Sequence, residues 1–427
     1  MRVIRGIAAG REALSRRVLA AAEDADEREQ AVRRILGDVA RRGDAAVREY
    51  TLQFDHVTLE SVEVSRNEIA EAHRHIDPAL LSALRLASRR IRDFHTRQME
   101  VVRSGWTGTG LGWLVRPLGR VGVYAPHGTA PYPSSLLMTA VPAKVAGVSE
   151  VIVATPRGPD GVLPAATLVA ADIAGVDRIF SIGGAQAIAA LAFGTESVPR
   201  VDKICGPGNV YVMLAKKLVF GVVGIDALQG PSEVLIIADD TADPGWCAAD
   251  LLAQAEHDEL AEAVLVTTSA ALADRVVSEV REQLRQLSRR ETATRSLEKT
   301  GRMVVVDTME EAVELANLYA PEHLLLMVEN ADSYLPRLVN AGCIVLGDRA
   351  TVALGDYVAG PSHVLPTQGT ARFSSPLSVL DFVRLTNVIR EEGDLLRELG
   401  PAAVTIARFE GLDAHVRAVE KRLRGGQ

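Results

Sequence analysis

Cysteine is scarce in this chain. Its 427 residues include Cys205, Cys247 and Cys343 and no others. An odd number, widely spaced, forms neither a disulfide framework nor a CxxC metal knuckle, and it fits a reducing compartment. Long hydrophobic runs are missing too: no window approaches the roughly 18 uninterrupted apolar residues of a membrane span. The opening Met1-Arg-Val-Ile-Arg lacks the apolar stretch of a secretory signal. These absences predict a cytoplasmic protein with no membrane partner. A basic excess is also lacking. The formal net charge is −8, and no basic stripe with interleaved aromatics occurs, which argues against a nucleic-acid partner. Arginine pairs such as Arg16-Arg17 and Arg89-Arg90 read as solvated helix faces.

What remains is a chain with 48% apolar and 24% charged residues, ordinary for an α/β enzyme and long enough for two or more domains. Residues 24–100 are charged and helix-patterned, with apolar positions in Ala31-Val-Arg-Arg-Ile-Leu-Gly-Asp-Val at three- and four-residue spacing. From about residue 115, short apolar runs alternate with Ala/Leu-rich helical stretches such as 164–174 and 184–193. The runs include Val121-Gly-Val-Tyr124, Val151-Ile-Val-Ala and Arg178-Ile-Phe-Ser-Ile. Alternation resumes with Glu233-Val-Leu-Ile-Ile-Ala, Ala263-Val-Leu-Val-Thr, Met303-Val-Val-Val, His323-Leu-Leu-Leu-Met and Cys343-Ile-Val-Leu. Two such series predict two doubly wound, incomplete Rossmann-like α/β domains with small helical appendages at both ends. A ligand crevice is expected at the carboxyl ends of the strands. The last 45 residues read as helical and charged.

Two glycine turns follow apolar strands. Gly183-Gly184 opens a helix, and Gly206-Pro-Gly208-Asn209 follows Lys203-Ile-Cys. Free amides at such turns receive phosphate, and together they point to a nucleotide site, although neither completes GxGxxG. Taken alone, each reads equally as a plain turn. Acid–base and metal-ligand side chains concentrate in three later segments: Gln254-Ala-Glu-His257, Ala320-Pro-Glu322-His323 and Gly355-Asp356 through His363. Gln254 and His257, three apart, share one helix face, and an amide oxygen, imidazole and carboxylate suit zinc. Glu322 and His323 open an apolar strand, and His near its ordinary pKa suits proton abstraction from an alcohol. Cys205 is the one candidate thiol nucleophile, and a buried inert thiol is the simpler reading.

The ordered motifs Tyr132-Pro-Ser-Ser-Leu-Leu-Met-Thr-Ala-Val-Pro-Ala-Lys, Gly183-Gly-Ala-Gln186, Gly206-Pro-Gly-Asn209, Gly230-Pro-Ser232-Glu, Gln254-Ala-Glu-His257, Ala320-Pro-Glu322-His323, Gly355-Asp356-Tyr, His363-Val-Leu-Pro-Thr and Glu410-Gly-Leu-Asp-Ala-His415 carry a resemblance over nearly the whole chain. The chain resembles the histidinol dehydrogenase family. The resemblance implies a zinc-dependent, NAD-linked oxidation of L-histidinol through its aldehyde to L-histidine, the last steps of histidine biosynthesis. It implies Gln254, His257, Asp356 and His415 as metal ligands, His323 as base and Glu322 as activator of water. Substrate contacts carried over are Ser134, Ser232, His363 and Glu410, besides the metal ligands and His323. Tyr124, Gln186 and Asn209 match positions that touch NAD. A homodimer is implied, its C-terminal region completing the neighbour's site. The corresponding division is 1–21, an N-terminal segment; 22–125 with 234–375, catalytic; 126–233, NAD-binding; and 376–427, C-terminal.

Four positions depart from the family pattern. His127 stands in Pro126-His127-Gly128 where glycine is usual, and Gln229 where alanine is usual. Val352 replaces an acid near Asp356, and Ser362 replaces asparagine before His363. Loss of that acid leaves a different small polar alcohol open as an alternative substrate. A zinc hydrolase is the reading from another class.

Overall fold

The computed structural model describes residues 1–15, 25–103, 105–108, 110–126, 131–158, 160–390 and 394–425. His127 and the pair Arg16-Arg17 lie outside them. Two parallel sheets organise the molecule. The first has six strands in the order Arg2–Arg5, Arg302–Val305, Glu262–Thr267, Glu233–Ala238, His323–Met327, Cys343–Leu346. The second has five, Arg178–Phe180, Glu150–Ala154, Arg120–Tyr124, Lys203–Cys205 and Gly224–Ile225, with its reversal of strand order beside Arg120–Tyr124. Both are doubly wound α/β sheets, as the alternating runs predict. All six residues of Glu233–Ala238 are buried, because helices cover both faces of the sheet.

The predicted helices 164–174 and 184–193 appear as Ala165–Ala174 and Gly184–Phe193. Residues 24–100 contain four helices, Ala25–Arg42, Asp44–Asp55, Arg66–His75 and Pro78–Val102. Their apolar faces, among them Val32, Leu36, Val47, Leu84 and Ile91, join cores built on the five-stranded sheet.

The C-terminal end also differs. Helices Leu395–Phe409 and Asp413–Gly425 form a hairpin, but before them Val383–Ile389 is a strand, antiparallel to Leu111–Pro117. Trp106–Gly108 completes that small sheet. Most of Val383–Ile389 is exposed, so its apolar residues make no continuous run. No helix among the described residues is long and apolar enough to cross a membrane.

Candidate active site

The acid–base residues converge at the amino ends of two neighbouring strands. His323 begins His323–Met327 and Glu233 begins Glu233–Ala238, and the two strands pair in parallel. The crevice was expected at carboxyl ends, and for this half of the site the polarity is reversed. The Glu322–His323 pair does open its strand, as read. The Glu233 amide donates to Glu322 Oε2 at 2.7 Å, and His323 Nδ1 lies 3.2 Å from the Glu233 carbonyl. On its other side His323 Nε2 lies 3.3 Å from Asp356 Oδ1. The backbone thereby fixes one ring nitrogen and leaves the other facing a carboxylate.

Burial and charge set the protonation of this cluster. Glu322 is buried, and desolvation raises its pKa to about 7 against the pull of His323. Burial alone lowers His323, but Glu322 and Asp356 outweigh it and raise the ring to about 9. Asp356 is held below its ordinary value: desolvation, the largest influence, raises it, but the bond to His323 and the charges of His323, His363 and His257 together outweigh that. His363 is fixed at both nitrogens, Nδ1 to the Asp356 carbonyl at 2.7 Å and Nε2 to Ser135 Oγ at 3.0 Å. Burial lowers its pKa. Ser134, expected as a substrate contact, is half-buried in the first turn of helix Pro133–Ala146, next to the Ser135 that bonds His363.

Gln254 ends the helix Pro244–Ala255, and His257 follows its cap, with its amide donating to the Gln254 carbonyl. His257 therefore lies two residues beyond the helix that carries Gln254, and not on its face. The Asp356 charge acts on His257, although desolvation is the larger influence and lowers that ring. Gln254 is buried and its amide nitrogen has no hydrogen-bond partner. An orphaned buried amide beside an imidazole and a carboxylate fits a metal ion, its oxygen presented by a half-turn of the amide. His415, by contrast, is exposed on the C-terminal hairpin, as is Glu410 at the end of its first helix. Among the described residues no group of three or more His, Cys, Asp or Glu side chains can by itself hold a metal. The chain brings together His257 and Asp356 with Glu322, His323 and His363, places buried Gln254 three residues from His257, and leaves Glu410 and His415 on the surface.

The nucleotide candidates lie at the carboxyl ends of the five-stranded sheet, where the sequence placed them. Tyr124 ends the strand Arg120–Tyr124, and its hydroxyl accepts from the Gly184 amide at 3.1 Å. Its backbone presses on the other turn: a Cβ on Gly206, at φ +112°, would stand 2.2 Å from the Tyr124 carbonyl oxygen. The tyrosine thus locks both glycine turns. Gln186 is 1% exposed in the first turn of Gly184–Phe193, with neither amide atom partnered. Buried amides of this kind await a ligand, and a dinucleotide's polar groups fit. The Asn209 oxygen caps the helix Val210–Val219, accepting from the Tyr211 and Val212 amides. Cys205 is fully buried and its thiol is pushed well up by desolvation, so it is inert.

Three residues escaped sequence reading. Glu233 is buried beside Glu322, and its Oε1 accepts from the Gln368 amide at 2.8 Å. Ser135 supports His363. Lys216 is buried against Asp226. The signal for Glu233 was present in Gly230-Pro-Ser232-Glu, where the glutamate was passed over as part of the strand. Two of the departures are explained by their surroundings. Val352 is 4% exposed within the apolar cluster around Leu251 and Leu252. Ser362 donates to the Met138 carbonyl at 3.0 Å, a bond internal to the fold.

Residues 19–423 match the family model for histidinol dehydrogenase. A histidinol dehydrogenase of Dehalococcoides mccartyi is 52% identical over 438 residues, spanning 99% of this chain and 100% of that protein. One from Moorella thermoacetica is 54% identical over 398 residues, spanning 92% and 93%. The crystal structure of histidinol dehydrogenase from Elizabethkingia anophelis superposes with a TM-score of 0.94 at 35% identity, covering 100% of this chain and 98% of that one. With the fold, the buried Glu322–His323 pair and these likenesses in agreement, the chain belongs to the histidinol dehydrogenase family of oxidoreductase enzymes.

Proposed function

We propose that this protein oxidises L-histidinol through L-histidinaldehyde to L-histidine, acting as a homodimer in the cytoplasm. The observation that carries the reading is the buried Glu322–His323 pair at the start of its strand, with Asp356 of the helix Val352–Tyr357 facing His323 Nε2. When bound, zinc would supply a positive charge for the substrate's amino and imidazole nitrogens, and NAD would serve as the hydride acceptor. Gln254, His257 and Asp356 hold the metal, with His415 supplied across the dimer. Tyr124, Gln186 and Asn209 line the dinucleotide site.

His323 takes the hydroxyl proton as the first hydride leaves the carbinol carbon. Asp356 and Glu322 flank that ring and favour the imidazolium that forms when it takes the proton. Water then adds to the aldehyde, and Glu322 accepts its proton. A carboxylate whose pKa lies near 7 suits that exchange at neutral pH. The resulting hydrate anion loses the second hydride to give the acid. Ser134, Ser232, His363 and Glu410 orient the substrate.

Zinc-loaded protein given L-histidinol and NAD should form NADH, followed by absorbance, with histidine as product. Absence of NADH from histidinol alongside turnover of another amino alcohol would sink this substrate and keep the oxidoreductase class.

A further inference from the structure

Lys216 sits inside the helix Val210–Val219 and is 1% exposed, an unusual place for an ammonium group. Its Nζ lies 2.5 Å from Asp226 Oδ1, donates to the Gly206 carbonyl at 2.9 Å and to Gln229 Oε1 at 3.0 Å. Asp226 Oδ2 in turn accepts from the Gly206 amide at 2.8 Å and from Gln229 Nε2 at 3.1 Å. Both backbone groups of Gly206 are therefore gripped by one buried ion pair, and Gln229 bridges its two halves. Gly206 opens the turn that ends at Asn209. Gln229 opens the segment that crosses from the five-stranded sheet to the strand Glu233–Ala238. Gly230 is itself pinned there, its amide donating to Thr367 Oγ1 at 2.7 Å.

An apolar turn would need none of this. A buried ion pair gains little net stability, and it persists where geometry must be held. We infer that the Lys216–Asp226–Gln229 network positions the Gly206–Asn209 turn for the dinucleotide, in fixed relation to the strand that carries Glu233. These are positioning residues, acting through the turn. The inference rests on the reading of that turn as part of the NAD site.

Calorimetric titration of the full chain with NAD alone tests it, with the KM of histidinol measured in parallel. Gln229→Ala keeps the ion pair and should fold. It should weaken NAD binding about tenfold, the scale of a hydrogen bond to a charged group. The histidinol KM should stay within about twofold, a split that mere loosening of the fold does not produce. Lys216→Met, which strands Asp226, should weaken NAD binding further if it folds. Unchanged NAD affinity in Gln229→Ala overturns the inference alone, as does an equal rise in both constants. Parent protein that binds no NAD overturns the inference together with the functional reading beneath it.

Discussion

Val352 stands four residues before Asp356, and its surroundings determine what it does. The side chain packs among Leu251, Leu252 and Val345 and near Asp250, whose carboxyl is already raised by burial despite its bond to Thr351. It is a core residue of this chain. Val352→Glu should therefore cost stability, on the order of 3 kcal/mol for a carboxyl placed in that cluster, with no gain in histidinol affinity. Thermal denaturation and the histidinol KM check the two parts. His323→Asn should abolish alcohol oxidation while zinc content, read by elemental analysis, stays unchanged. Loss of metal in that variant would show that the ring holds the ion and is no base. Tyr124 repeats the lesson of Val352 on the other sheet: its hydroxyl serves the fold through Gly184 before any ligand arrives.

At the scale of elements, ion pairs tie the early helices and loops to the five-stranded sheet. Glu63 Oε1 and Oε2 accept from Arg178 Nε and Nη2 at 2.8 and 2.7 Å, and the guanidinium lies over the Phe180 ring. The Arg178 bond holds the Glu63 pKa below its ordinary value. A depressed carboxylate stabilises the fold above its unfolded pKa, and that contribution is lost as pH falls through the folded one. The pair is partly exposed, so screening keeps its worth to about 0.5–1 kcal/mol. Glu63→Gln should lower Tm at neutral pH by about 1–3 °C, and the difference should shrink below the ordinary carboxylate range and vanish once the folded Glu63 is protonated. Elements of this kind were unevenly legible. The buried strands Glu233–Ala238 and His323–Met327 announce themselves as apolar runs, since both faces are covered. Val383–Ile389 does not, because it is open to solvent and alternates apolar with polar residues. Lys216 beside Lys217 reads as a solvated pair, and only the fold reveals that one of them is buried.

In the whole molecule the two parts of the site use opposite strand ends. The acid–base cluster lies at amino ends of the six-stranded sheet, the glycine turns at carboxyl ends of the five-stranded one. The linear pattern shows which residues carry chemistry, but the sheet end depends on the path of the chain through both sheets, which no local run encodes. Glu410 and His415 stand exposed on a hairpin that also presents Leu399, Ile406 and Phe409 to solvent. If their role is exercised in a second subunit, mixing inactive His415→Ala and His323→Asn chains should restore activity. Each mixed dimer keeps one intact site, so random exchange should give roughly a quarter of the parent rate. Complete absence of recovery would place each site within one chain.

The strand Arg2–Arg5 adds a practical consequence. It closes the margin of the six-stranded sheet by pairing with Arg302–Val305. Shortening the chain by its first six residues would strip that cover and leave Arg302–Val305 with a row of unmet amides and carbonyls, an invitation to strand addition by a neighbour. Such a truncated protein should aggregate on concentration, visible by light scattering, although nothing near Glu322 or His323 has been touched.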